Sequence, residues 1–463
     1  MAMYKHAILL VTASLFPAAF SCADDVVLRA GVAKAVVTPD ITTRPVGVMG
    51  ARLESVHDDI YARALTLFDG ARRMAIVTYD LNCLDVATPI LRQRCRDELG
   101  LDPACLVLLA THNHAAPIQI VPENFEYGRW LADRIFDLIR EAMGSESGPV
   151  RLEFGWGHAY FLKNMGRAPI DYEVQLLRVR RDGAVLAMLF NHPVHPLDDF
   201  SGNAIGAGHP GVAVKEVERR VPGCLAMYAD ACGGNQFTKH GMNAPRDVVA
   251  QIGLELADDV MTIAARPMQD VTGPIHALLE VISLPLAKPM PYEEARRLAA
   301  FYPKDIGFVP YPHKDRGSNW IRALIRHYEE NIPFPLRTTD RVCTDDGFLV
   351  QEYEEPREFP CRYEECIAAT IGPLIFVAMQ GEVCAPIGMR IKDAWRQERP
   401  IMVFAYMGEH NLYIPTREIV RQGVYQATVI QTQYASPVGW HPSVEDEMVN
   451  GVNNLIGRVL RRE

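Results

Sequence analysis

Four apolar segments of this 463-residue chain each lead into a side chain that can bind zinc. CLVLLA (105–110) runs into His112, AVLAMLF (184–190) into His192 and His195, and LIFVAMQ (374–380) into Glu382. The fourth, IMVFAYM (401–407), is soon followed by Tyr413. Imidazole nitrogen and carboxylate oxygen are the usual ligands of a catalytic zinc. In an α/β sheet the carboxyl ends of parallel strands share one edge, so residues far apart in sequence can converge there. The spacing therefore predicts metal chemistry at that edge.

Taken singly, each motif has a plainer reading. In Thr111-His112-Asn113-His114-Ala115-Ala116-Pro117, two histidines one residue apart need not reach the same ion from a turn. One can ligate while the other faces elsewhere in the cleft, or both can be hydrogen-bonded loop histidines. In Asn191-His192-Pro193-Val194-His195-Pro196, His195 ends the turn at the strand edge, and His192 also suits a packed position behind it. A lone Glu382 is usually solvated and a lone Tyr413 usually packs. Their shared placement after strands is what joins the four.

The elements that must position them read as α/β: a mixed, mostly parallel sheet flanked by helices, with the metal site at the carboxyl ends of strands. Strands are predicted over 74–79, 105–110, 224–229 and from Leu374, and helices over 88–99, 127–143, 248–264 and 443–461, with another near 211–221. Segments 174–180 and 184–190 flank Asp182-Gly183, a hairpin signal that makes the sheet mixed. The stretch 288–363 is charged, rich in Pro and Tyr and poorly periodic, and reads as an insertion or lid within a single domain over 24–463. No internal repeat is visible.

With 49% apolar and 22% charged residues the chain can bury a large core. A net charge of -10 gives no basic footprint for nucleic acid or anionic lipid. Residues 1–23 read as a signal peptide: Lys5, an apolar stretch 7–20 too short to span a bilayer comfortably, then Ser21-Cys22-Ala23. Export to the periplasm or medium follows, with lipidation of Cys22 as the less favoured alternative. Among the other cysteines, most suit buried thiols, while Cys361 and Cys366 are the better disulfide candidates in an exported protein, with Cys343 or Cys384 as further partners. No transmembrane segment is expected, and oligomeric state is not fixed by the sequence.

Several motifs in one order now carry a family resemblance. His57-Asp58-Asp59-Ile60-Tyr61-Ala62-Arg63-Ala64, the THNH and NHPVH motifs, Ala231-Cys232-Gly233, Gly381-Glu382 and LYIPTRE (412–418) resemble the catalytic domain of neutral/alkaline non-lysosomal ceramidases. The resemblance covers nearly the whole mature chain, and not the immunoglobulin-like domain that follows in that family. It implies hydrolysis of an N-acyl amide bond with one zinc per chain, held by His112, His195, Glu382 and Tyr413. It further implies His114 on the substrate side of the reacting carbonyl, and Tyr425 supporting the site or binding the oxyanion. Arg167 is matched loosely to a family arginine, because Met165-Gly166 separate it from Asn164.

That chemistry suits these residue types. Zinc lowers the pKa of bound water from about 16 to about 7 and polarises the amide carbonyl. A neighbouring imidazole or phenol stabilises the oxyanion and helps protonate the leaving amine. Two positions depart from the family: where it has an acidic residue and then a serine, this chain has Gly234 and Gln236. The substrate is thus expected to be a small-molecule or lipid N-acyl compound, either ceramide or a smaller N-acylated amine or amino sugar. Two rivals stand beside this reading: Cys232 as a nucleophile, and a non-catalytic binding or scaffold protein on the same fold.

Overall fold

Three sheets built to one plan carry the chain. In this computed structural model the described residues are 27–43, 46–48, 51–119, 122–164, 168–197, 199, 203–302, 318–334, 337–338, 341–344, 347–350, 360–408 and 412–463. The first sheet has strands β1 (Arg29–Val36), β2 (Tyr61–Phe68), β3 (Arg73–Tyr79) and β4 (Leu106–Ala110), in that order. The second has β5 (Val150–His158), β6 (Glu173–Arg181), β7 (Ala184–His192) and β8 (Leu225–Asp230). The third has β9 (Ile275–Pro285), β10 (Cys361–Ile371), β11 (Leu374–Met379) and β12 (Ile401–Phe404). Short strands Gln269–Asp270 and Arg337–Thr338 add to the second and third sheets.

Within each sheet the first three strands are antiparallel neighbours and the fourth lies parallel to the third. A helix makes each parallel crossover: α1 (Ala87–Leu99), α3 (Gly208–Arg220) and α7 (Ala385–Trp395). A second helix follows the fourth strand in each unit: α2 (Phe125–Gly144), α4 (Arg246–Ala264) and α10 (Val444–Leu460). It packs against its unit's crossover helix and outer strands. The chain is thus a threefold repeat of one βββαβα-like unit in topology, although no repeat is visible in the residues.

The α/β class and its flanking helices match the sequence reading, but a single, mostly parallel sheet does not. There are three main sheets, and most strand pairs in them are antiparallel. Three strands hid themselves: β1 carries Lys34, β5 carries Arg151 and Glu153, and β10 carries Arg362, Glu364 and Glu365, all of which interrupt the apolar run that signals a strand. The Asp182-Gly183 turn is as expected, with both residues at positive φ (51° and 82°), as a two-residue hairpin requires.

The fourth strands meet at the centre. At the end of β4, Ala110 N–H donates to the Tyr406 carbonyl, and Ala405 N–H donates to the Asp230 carbonyl at the end of β8. β12 receives side chains from the second sheet. Gln175 donates to the Ile401 carbonyl at 2.7 Å and accepts from Val403 N–H at 2.9 Å, and Asn191 donates to the Val403 carbonyl at 2.8 Å. All three carboxyl ends therefore face one place.

Between β9 and β10, helices α5 (Tyr292–Phe301) and α6 (Asn319–Glu329) pack on each other, and α6 touches α9 (Tyr425–Thr432). Tyr363, at the end of the expected insertion, already belongs to β10. A short helix α8 (Arg417–Gln422) precedes α9. Cys361 and Cys366 do not pair. They stand five residues apart on β10, about 17 Å at about 3.3 Å per residue. Cys366 and Cys384 are buried free thiols. The Cys343 side chain, Arg167 and residues 1–23 with Cys22 lie outside the described residues. Among the described residues no helix is long and apolar enough to cross a membrane.

Candidate metal centre

The repeated topology places polar groups at matching positions. Three residues past the end of each third strand stand Asn82, His195 and Glu382, following Tyr79, His192 and Met379. Two residues past β4 and β12 stand His112 and Tyr406, both with left-handed backbones (φ 50° and 55°) that turn their side chains back toward the centre. The rings of these two lie 4.3 Å apart between centroids.

His112, His114 and His195 come together, with their ligating atoms within 4.8 Å of one another. His114 Nε2 lies 3.1 Å from His112 Nε2 and 3.0 Å from His195 Nε2. Glu382 Oε2 is 3.4 Å from His112 Nε2 and 3.5 Å from His195 Nδ1. His112, His195 and Glu382 are buried, whereas His114 is only half-buried. Of the three imidazoles, His114 is the one that solvent or a ligand can reach.

These donors fit a zinc ion. At bonds of about 2.0–2.1 Å, two ligands of a tetrahedral zinc lie about 3.3 Å apart, close to the separations of Glu382 from His112 and His195. His112 Nδ1–H donates to the Asn82 carbonyl at 3.2 Å, which leaves the Nε2 lone pair facing the cluster, the tautomer a metal ligand requires. Two buried imidazoles and a buried carboxylate are also the mixed N/O set of hydrolytic zinc sites.

Gly381 explains how Glu382 arrives there. Its φ of +88° breaks away from β11, and a Cβ at this point would lie 3.0 Å from the Leu412 carbonyl oxygen. The turn feeds Glu382-Val383 into a two-residue parallel ladder with Tyr413-Ile414, in which Glu382 and Tyr413 are register partners. Tyr413 stacks on His195 with centroids 5.9 Å apart and planes 9° apart. Burial, the Glu382 charge and a hydrogen bond to that carboxylate hold the Tyr413 phenol well above its ordinary pKa. Without a cation it is a neutral hydroxyl, and a divalent ion would reverse that preference.

Tyr425 stands at the start of α9, with its ring edge-on to Tyr413 at 5.5 Å and its hydroxyl accepting from Gln433 at 2.7 Å. His192 is packed rather than in the cluster. Its ring contacts Phe161 at 4.9 Å, and burial together with His209 lowers its pKa to about 3. Cys232 is buried under α7, where Gly388 packs directly on its sulfur, and burial drives its thiol far above the range of a nucleophile.

Sequence reasoning missed Asn82 and Tyr406. Asn82 supplies the carbonyl that orients His112, and its amide lies 3.4 Å from His114 Nε2. Tyr406 is buried against His112, and its hydroxyl has no hydrogen-bond partner among the described residues. The signal for Asn82 was the Tyr79-Asp80-Leu81-Asn82 exit of a strand, which has the same form as the other exits. Tyr406 sits inside an apolar run and carried no such mark.

No family model and no curated protein sequence matches the chain. Among solved structures it resembles neutral ceramidase from Pseudomonas aeruginosa, with a TM-score of 0.68 and 18% identity over 95% of this chain and 75% of that one. A ceramidase complexed with C2 gives a TM-score of 0.67 and 17% identity over 94% of this chain and 76% of that one. The fold of this chain is that of the neutral ceramidases.

Proposed function

We propose that this chain is an exported, zinc-dependent amidohydrolase of the ceramidase type, which cleaves an N-acyl amide bond. One observation carries the reading: Glu382 Oε2 stands at 3.4 Å and 3.5 Å from His112 and His195, the edge of a zinc tetrahedron, at the centre of a ceramidase fold. His112, His195 and Glu382 would hold the ion, with Tyr413 as the fourth ligand. Zinc, when bound, supplies Lewis acidity toward the acyl carbonyl and water that ionises near neutral pH.

The chain's own residues do the rest. His114, the half-buried imidazole, would hydrogen-bond the reacting carbonyl and carry the proton given up by the attacking water to the leaving nitrogen, a role worth about 10² to 10⁴ in rate. Tyr425 fixes the Tyr413 ring by its edge contact. Arg167, matched loosely to a family arginine, is a further candidate catalytic residue in this reading. Cleavage of residues 1–23 would release a single catalytic domain over 24–463, with the α5–α6 segment covering α9 as a lid.

The test is elemental analysis of the purified protein after gel filtration, beside Glu382→Ala, followed by a screen of ceramides, N-acyl amino sugars and small N-acyl amines. One zinc per chain, lost in the variant, with turnover of one substrate class, is the expected result. Folded protein that takes up no zinc defeats the hydrolase reading. Zinc-loaded protein that binds an N-acyl compound without cleaving it supports the binding-protein alternative. N-terminal sequencing of exported protein tests cleavage after residue 23.

A further inference from the structure

The loop after β8 contributes no group to the cluster, yet it touches both segments that do. Gln236 is fully buried. Its side-chain amide donates to the Pro193 carbonyl at 2.6 Å and to the Asp171 carbonyl at 3.0 Å, and its oxygen accepts from Asp171 N–H at 2.6 Å. Its own backbone carbonyl accepts from His195 N–H at 2.8 Å. One residue thus grips the 193–195 turn at both ends.

The preceding residues grip the other ligand segment. Gly234 N–H donates to the Val383 carbonyl at 3.0 Å. A Cβ on Gly234 would lie 2.3 Å from the Glu382 carbonyl oxygen, so no side chain fits there. Asn235 accepts from Ala385 N–H at 2.7 Å, the first amide of α7, and donates to Asn164 at 2.8 Å. Apart from the half-buried Asn164, all these groups are buried, where an unmade hydrogen bond costs more than a made one gains.

We infer that Gly234-Asn235-Gln236 is a positioning clasp that sets the distance between His195 and Glu382, with Gln236 and Asn235 as its positioning residues. This rests on the proposed metal site for its consequence, but not for its geometry. The two departures from the ceramidase pattern thereby become one device. Glycine at 234 lets the Glu382 backbone come close, and glutamine at 236 spans from Asp171 to Pro193, farther than a serine hydroxyl reaches.

The experiment compares wild type with Gln236→Ala and Gln236→Glu in two ways. Hydrogen exchange of metal-free protein reads peptides covering 192–197 and 382–386, and titration with Co(II), monitored by its visible absorption, reads ligand geometry. The variants are expected to keep their circular dichroism, lose protection in both peptides, bind Co(II) about 10- to 100-fold more weakly and show an altered spectrum. Unchanged exchange and an unchanged cobalt spectrum in folded Gln236→Ala would overturn the clasp. If Gln236→Ala does not fold, Asn235→Asp and Asn235→Leu decide: Asp keeps the acceptor for Ala385 N–H and should retain Co(II) affinity, Leu should lose it, and equal affinities overturn the inference. Wild type that binds no Co(II) defeats the proposed function alone, because the exchange comparison still reads the clasp.

Discussion

Glu382 and Tyr413 are direct register partners in a two-residue parallel ladder, so an acid from one strand exit and a phenol from another are set side by side by backbone pairing. The phenol hydrogen-bonds the carboxylate while its ring lies flat against His195. Tyr413→Phe keeps the stacking and removes the hydroxyl. It is expected to lower zinc affinity about 10- to 100-fold, whereas Glu382→Ala abolishes stoichiometric binding. Competition titration with a chelator of known affinity measures both.

Gly381→Ala places a Cβ in a left-handed backbone and against the Leu412 carbonyl. A cost of about 1–3 kcal/mol is expected from the strained conformation. Urea unfolding gives the stability, and metal content should fall with it because Glu382 is the next residue.

His192 is buried as the neutral imidazole, with its pKa lowered to about 3 by burial and then by His209. The folded state therefore binds fewer protons than the unfolded chain, whose histidine titrates near 6.5. Stability is present above about 6.5 and is lost as pH falls toward about 3, by a few kcal/mol in total. Urea midpoints of wild type and His192→Phe across this window should converge as pH falls, with the wild type losing more. Parallel curves would show that His192 is not the group responsible.

Lys392 is buried with its ammonium 2.7 Å from Asp171 and 3.2 Å from Glu173. Burial opposes its charge, and the two carboxylates outweigh it, so the pKa is raised. Lys392→Met strands the buried Asp171, whereas Glu173 keeps its pair with Arg396 at 3.1 Å, and a loss of about 3–5 kcal/mol is expected. The double variant Lys392→Met/Asp171→Asn should recover part of that in the same urea assay.

Cys232 lies beneath Gly388 with its thiol held protonated by burial. Cys232→Ala is expected to retain hydrolysis within about twofold, at a stability cost near 1 kcal/mol. Loss of turnover in folded, zinc-loaded Cys232→Ala would restore the nucleophile reading.

How much of this was legible in the residues depends on burial. The inner strands β4, β7, β11 and β12 are apolar runs bounded by turns, and with them came His112, His195, Glu382 and Tyr413 as strand-exit residues. β1 and β5 are exposed on one face, and they and β10 carry charges, so the antiparallel majority was hidden, and with it the separation into three sheets. The threefold repeat was hidden for a related reason. Packing constrains only size and polarity at matching positions, so Asn82, His195 and Glu382 share a place without sharing a residue type. His114 shows the limit of spacing: a left-handed turn at His112 brings both histidines of THNH to one point, and φ is not readable from the motif.

Gln175 and Asn191 have a consequence beyond holding two sheets together. β12 reads Ile401-Met402-Val403-Phe404, four uncharged residues at the end of a sheet, and such an edge invites another chain to add a strand. No lysine guards it. The amides of the second sheet occupy its Ile401 and Val403 groups instead, mimicking a neighbouring strand from within the same molecule. Aggregation on heating should therefore begin where these two sheets part, before the chain as a whole has unfolded.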